Sequence, residues 1–206
     1  MRINRRPFLT LATLAVPRPA GAARSRVGEV NAVSGAAVAL FPDDPPRPLS
    51  LASPVLIEDL LSTDAAGRLA ARLDGGLELR LGGNAKLRID AALLRGPNAG
   101  VVLRDLAAGG PLLLDRPTMP AAPPILVVLP WARIGVRGTR IFAGIMNGFG
   151  AIFVARGSAN VEAIGTRVTL TAGEGVDIPL QPFGPPDLPV RVWGRAKIAQ
   201  ALSLVE

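Results

Sequence analysis

From Val27 onward, apolar and polar side chains alternate with a period of two, the pattern of strands buried on one face. The clearest stretch is RLAARLDGGLELRLGGNAKLRID, Arg68 to Asp90. Leu69, Ala71 and Leu73 fall on one side and Arg72 and Asp74 on the other. Leu77, Leu79 and Leu81 alternate with Glu78 and Arg80, and Leu87 and Ile89 with Lys86, Arg88 and Asp90. Asp74-Gly75-Gly76 and Gly82-Gly83-Asn84 separate the three runs, and their residues tolerate positive φ. This reads as a three-stranded meander with one apolar face, which needs a second layer to cover it. Asp64 to Leu73 also contains helix formers, but Gly67 and the alternation into the Asp74 turn favour a strand.

Further strands are expected at VGEVNAVSGAAVAL (Val27 to Leu40), AGVVLRDL (Ala99 to Leu106), PLLLD (Pro111 to Asp115) and ILVVLP (Ile125 to Pro130). GAIFVARG (Gly150 to Gly157), ANVEAIG (Ala159 to Gly165) and RVTLTAGEGVDIP (Arg167 to Pro179) complete the set. AGIMNGFGAIF reads as a hairpin turning at Asn147-Gly148. Proline clusters at Pro42 to Pro48 and Pro117 to Pro124 read as surface loops, because proline cannot donate to a ladder. After Gln181 to Pro189 the period changes. Ile198, Ala201, Leu202 and Val205 share one helical face, with Trp193 one turn earlier, which predicts a short amphipathic helix docked on the β body. The expected fold is therefore all-β: an antiparallel two-layer or solenoid-like sheet domain over residues 27–180, then a Pro-rich linker and C-terminal helix over 181–206.

Composition agrees with one domain of many short strands. The chain has 206 residues, 49% of them hydrophobic but only 4% aromatic, so Leu, Val, Ile and Ala must build the core. Twenty-three glycines and twenty prolines supply turns. Without cysteine or histidine there is no disulfide, no thiolate nucleophile and no Cys/His zinc or haem site, and the commonest general base is missing.

The formal charge of +7 is weighted to the N-terminus. Residues 1–22 carry Arg2, Arg5, Arg6 and Arg18 and no acid, and losing those four would leave about +3 of the +7. The order here is a basic pair, a short apolar stretch (FLTLATLAV) and small residues at Ala20-Gly21-Ala22, the order of a signal peptide. Arg5-Arg6 followed by Pro7, Phe8 and Leu9 resembles the twin-arginine export motif, an address read by a receptor. An ordinary secretory signal is the alternative. The expectation is export to the bacterial periplasm. No later apolar run reaches the eighteen or so residues that a spanning helix needs, so no transmembrane segment is expected in the mature chain. Nucleic-acid binding is not expected either, since the arginines are spread out and tyrosine is absent.

Taken in order, several motifs resemble the FecR-type domain family. They are VGEVNAVSGAAVAL, the step Asp59-Leu60-Leu61-Ser62-Thr63, the turn Asp74-Gly75, the segment Leu79 to Ile89, Ile134 to Thr139 (IGVRGT) and Val168 to Glu174 (VTLTAGE). They span about Val27 to Ile178. The resemblance implies an all-β periplasmic module with an elongated or solenoid-like sheet. The best-known members of that family are transmembrane regulators, whose periplasmic part receives a signal from an outer-membrane receptor and whose cytoplasmic part controls a sigma factor. Free-standing exported domains form the other setting. This chain departs from the family pattern at Arg140 and Arg156, where a polar or acidic residue would be expected.

The candidate structural or binding residues are Gly135, Arg137, Gly138, Thr139 and Glu174. Gly135 and Gly138 would permit a bulge or close sheet packing. Arg137 would lie along the sheet and pair with Glu174. The competing reading groups Arg133, Arg137 and Arg140 into a cationic patch for an anionic envelope ligand. In a regular strand, however, Arg140 would face away from the other two. No catalytic constellation stands out. Asp43-Asp44 sit in a proline loop, Asp74 and Asp90 are at turn or outward positions, and Glu174 and Asp177 are on opposite strand faces. No nucleophile motif or phosphate loop is present. The expectation is a non-enzymatic module without cofactor or metal that binds an envelope protein; the alternative is an anionic polysaccharide or peptidoglycan.

Overall fold

A computed structural model describes residues 24–93, 100–105, 109–116, 124–181, 184–185 and 187–206. The proposed export signal with Arg5 and Arg6 lies outside the described residues, as does most of the second proline cluster.

Sixteen strands of the described residues join in one sheet. In chain order these are β1 (Arg26–Ser34), β2 (Ala37–Leu40), β3 (Arg47–Pro48), β4 (Pro54–Leu56), β5 (Leu60–Thr63), β6 (Arg68–Leu73), β7 (Leu77–Leu81) and β8 (Lys86–Leu93). They continue with β9 (Gly100–Asp105), β10 (Leu112–Asp115), β11 (Ile125–Val128), β12 (Arg133–Met146), β13 (Phe149–Ala163), β14 (Thr166–Thr171), β15 (Glu174–Pro179) and β16 (Arg191–Val192). One helix, α1 (Arg195–Ser203), follows. The all-β reading with a short C-terminal helix holds.

The sheet is folded over on itself. One layer runs β3-β2-β5-β8-β9-β11 and meets the first half of β12 at Arg133 to Val136. The other runs β4-β1-β6-β7-β10 and meets the second half of β12 at Arg140 to Ala143. β13 repeats the division, carrying β14 along Ser158 to Ala163 and β15, then β16, along Phe149 to Phe153. All pairs are antiparallel except β9–β11, which is parallel. The two inner faces interdigitate as the alternation requires. Leu69, Ala71, Leu79, Leu81, Leu112, Leu114 and Ile141 come from one layer; Leu61, Leu87, Ile89, Leu103, Val127 and Ile134 come from the other. Each such buried Leu or Ile stabilises the fold by about 1.5–3 kcal/mol relative to exposure.

The expected meander is corrected at its second turn. β6 and β7 do form a hairpin, but β7 pairs with β10 and β8 pairs with β5 and β9. Gly82 to Ala85 is thus a corner between layers, not a hairpin turn. The physical reason is close stacking. A Cβ on Gly83 would collide with the Ala65 carbonyl and one on Gly82 with that of Leu204. Thr63 fastens this corner: its buried hydroxyl donates to the Gly82 carbonyl (2.6 Å) and accepts from the Ala85 N–H (3.0 Å). Asn84 N–H reaches the Asp64 carbonyl, and Asp64 N–H that of Ala36, so successive corners hydrogen-bond to one another.

The helix builds a second, smaller core on the outside of the β10–β12–β13 layer. Leu113, Phe142, Met146, Ala151 and Phe153 project outward there and are covered by Trp193, Ala201 and Val205, with Ile198 and Leu202 packed alongside. That is the face read from the sequence. Residues Arg191 and Val192, in the expected linker, pair with Gly175 and Glu174.

Candidate functional site

Of the two glycines of IGVRGT, Gly138 shapes the backbone, whereas the bulge or close packing expected at Gly135 is corrected: it pairs regularly, lacks a positive φ and has no close neighbour. β12 must leave one layer and enter the other, and it does so between Arg137 and Arg140, where its pairing with β13 slips. Gly138 takes φ +57° and Gly157, across the hairpin, φ +81°. These are left-handed conformations that glycine adopts without a Cβ penalty. Thr139 is fully buried at the bend. Its hydroxyl is directed at the carbonyls of Arg137 and Ser158, the latter at 2.9 Å. Its own carbonyl accepts from Arg116 N–H at 3.2 Å. The next pair of strands turns at the same level, since Ser158 pairs with Thr171 and the chain reverses through Ala172-Gly173. Glu174 closes that turn, accepting from the Thr171 N–H (2.7 Å) and hydroxyl (2.8 Å). These bonds hold its carboxyl below the usual carboxylate range.

Gly138, Thr139 and Glu174 therefore share one crease, but the expected Arg137–Glu174 pair is absent and is corrected here. Glu174 spends its acceptors on Thr171, and Arg137 points away on the exposed outer face of β12. The bend at Gly138, matched by Gly157 on the partner strand, also changes the parity. Arg133, Arg137 and Arg140 all face outward, although they bend onto different layers. Arg140 faces Arg156 across the hairpin, and Asp115 of β10 serves both, at 3.7 Å and 2.5 Å respectively. The two arginines that depart from the family pattern are thus held by one carboxylate on a neighbouring strand.

Before the crease, the outer face of β11–β12–β13–β14 is a regular grid. One row is Leu126, Gly135, Asn160 and Thr169; a second is Val128, Arg133, Glu162 and Arg167. Gly135 has open space where a side chain would stand, and Arg137, Asn160, Pro124 and Ile125 border the resulting pit of about 320 Å3. Among the described residues the Arg137 guanidinium has no hydrogen bond or ion pair, although its backbone carbonyl faces the Thr139 hydroxyl. Arg167, two strands away, is bound to Glu162 at 2.8 Å. Arg167 first, and then the charge of Arg133, lower the Glu162 carboxyl below its ordinary range.

Sequence reading gave no role to Asp59, Arg24 or Arg47. Asp59 is 1% exposed and accepts from Arg24 (2.7 Å), Arg47 (2.6 Å) and Leu56 N–H (2.9 Å), clasping the early strands of both layers. Position within the Asp59-to-Thr63 step was the available signal, since both of its polar ends prove to be buried. Among the described residues no cluster of three potential metal ligands occurs, and no helix is long and apolar enough to cross a membrane.

The fold defined here is a folded-over antiparallel sheet with a creased long hairpin. No family model and no curated protein matches the chain. Two crystal structures of a candidate anti-sigma factor from Parabacteroides distasonis ATCC 8503 share the fold, each with a TM-score of 0.55, at 14% and 13% identity. Each alignment covers 68% of this chain, and 62% and 63% of those chains, so the present chain spans under two thirds of their length.

Proposed function

We propose that this chain is a FecR-type module of the bacterial envelope that binds another protein, without catalysis of its own. The observation that carries the reading is the edge formed by β14. Its one neighbouring strand is β13, it includes neither proline nor glycine, and, with the Thr171 N–H taken by Glu174, the open stretch is Arg167 to Leu170. The other sheet margins among the described strands are short: β3 and β16 have two residues each and β4 has three, with prolines in β3 and β4. An edge with free N–H and C=O groups is a template for strand addition by a partner. Two further facts support the reading. The motifs that carry the family resemblance supply the buried polar residues Asp59, Thr63 and Thr139 that hold the corners and the crease. The structural neighbour is itself called a candidate anti-sigma factor, a name that denotes a protein partner.

The test is site-specific photocrosslinking in periplasm of the native host. A photoreactive residue in place of Thr169 on β14 should capture one envelope protein, and the same group at exposed Leu51 should not. Identical products from both positions, or none from Thr169, would defeat the proposal.

A further inference from the structure

We infer that the pit at Gly135 is a recognition site for a carboxylate, presented by an acidic side chain on an extended peptide segment of the partner. The inference rests on the protein-binding reading and names the chemistry of what is bound.

Three features of the grid lead to it. The first is shape. Gly135 is flanked across the sheet by Leu126 and Asn160 and along its own strand by Arg133 and Arg137. It is a one-residue gap in an otherwise filled face, and the nearest neighbouring atom to a Cβ there would be the Asn160 carbonyl oxygen at 3.9 Å. Nothing in the backbone requires glycine, because its φ is not in the left-handed region. The gap is therefore not explained by the fold, unlike Gly138 and Gly157, which the crease needs.

The second is charge. Most nearby outward arginines are mated, Arg140 and Arg156 with Asp115, Arg167 with Glu162 and Arg104 with Asp90, while Arg133 and Arg137, on either side of Gly135, form no ion pair among the described residues. Arg137 borders the pit with a guanidinium that has no such partner among the described residues. The planar fork of a guanidinium matches a carboxylate through two parallel hydrogen bonds. Glu162, the acid on this face, is already committed to Arg167, and Arg133 adds positive charge beside it. The face is thus complementary to an anion.

The third is the character of the rim. Asn160 uses its carbonyl oxygen to accept from Thr169, at 2.9 Å. That bond orients the side-chain amide, whose N–H groups are left to donate. Pro124 borders the pit, and Leu126, 38% exposed, stands across the sheet from Gly135, so the margin is apolar on that side. Among the described residues no aromatic ring borders the pit, so a sugar would find no stacking platform there. An apolar border beside a charged fork suits an extended peptide, whose alternate side chains could place a carboxylate in the pit while the flanking residue covers Leu126.

The experiment measures binding of the full purified chain to two blocked heptapeptides, one alternating valine with aspartate and its counterpart with asparagine, and to oligogalacturonate. The acidic peptide should bind with an affinity that falls as salt rises, and the neutral peptide at least about tenfold more weakly. Arg137→Gln should weaken the acidic peptide by a similar factor without moving the melting temperature. Gly135→Val, which fills the pit without strain, should abolish binding and leave the fold intact. Equal binding of both peptides, or unchanged affinity in the two variants, would overturn the inference. So would binding of oligogalacturonate in place of the peptide, which would give the pit to an anionic sugar. In any of these cases a crosslink from Thr169 would still stand as evidence for the broader proposal.

Discussion

Gly157 sits against Thr139 so tightly that no larger residue fits: a Cβ there would lie 2.9 Å from the Thr139 hydroxyl oxygen and 2.5 Å from the Gly138 carbonyl oxygen. Gly138, by contrast, has open space around the corresponding position. Both adopt positive φ, which costs another residue about 1–2 kcal/mol. Gly138→Ala should therefore destabilise by about that amount, and Gly157→Ala by about 1–3 kcal/mol more through overpacking. Thr139→Val, which keeps shape but takes a partner from the part-buried carbonyls of Arg137 and Ser158, should cost about 1–3 kcal/mol. Denaturant midpoints at constant m-value give all three. A ranking with Gly138→Ala as the worst would contradict this account of the crease.

The Asp59 clasp predicts non-additivity. With Arg24 or Arg47 removed singly, the remaining guanidinium still pairs the buried carboxylate. With both removed, an uncompensated charge is left in the interior, which costs about 3–5 kcal/mol. The double variant Arg24→Ala/Arg47→Ala should therefore lose more stability than the two single variants together, and Asp59→Asn in that background should restore part of it. Simple additivity in urea unfolding would show that Asp59 is better solvated than its burial indicates.

Strands were legible because the period-two pattern sorts each residue to a face before any tertiary contact is known, and the helix because Ile198, Ala201, Leu202 and Val205 follow the helical period instead. The crease was half legible. Counting outward in equal steps from the Asn147-Gly148 turn pairs Gly138 with Gly157, and the β12–β13 register keeps that count as far as Arg137 and Ser158 beyond the slip. GAIFVARG and ANVEAIG then become one strand bent at Gly157. Two things were hidden. Gly82-Gly83-Asn84 has the residues of a hairpin turn, and only packing against Ala65 and Leu204 makes it a corner. The Arg137–Glu174 pair failed because a carboxylate three residues beyond Thr171 found local donors, which a distant arginine must outcompete. Local bonds of this kind cost little chain entropy, whereas spacing along the sequence says nothing of Asp115 lying beside Arg140 and Arg156.

Glu174 gives a pH signature. Its folded carboxyl is held below the ordinary value by the Thr171 bonds, so the ionised form stabilises the fold. That contribution is complete above the unfolded value of about 4.3 and disappears as pH falls through the lower folded value. Glu174→Gln should lower the melting temperature at pH 7, and the gap to the natural chain should narrow below about pH 4. A gap that stays constant down to pH 2 would mean that the turn does not need the charge.

The helix should detach without unfolding the sheet, because its contacts belong to the outer core and not to the one between the layers. Trp193 is its anchor: the indole stacks on Phe153 at 5.0 Å between ring centroids, with Lys197 Nζ 4.1 Å from the ring centre on α1 itself. The Trp193 backbone N–H donates to the Gly173 carbonyl, and the indole ring lies where a Cβ on Gly175 would have to be. At its other end the chain after α1 presses on Gly82. The helix has little stability of its own, since it has nine residues, no side-chain N-cap, and Arg195 and Lys197 in a first turn that favours acids. Trp193→Ala removes a buried aromatic worth about 3–5 kcal/mol, and Gly175→Val displaces the indole while leaving it intact. Either change should speed amide exchange across α1 and raise binding of a hydrophobic dye to the uncovered Phe142, Met146 and Phe153. The protected amides of β6, β7 and β8 should stay slow in both. Simultaneous loss of protection in the helix and in those strands would show instead that the two cores unfold as one unit.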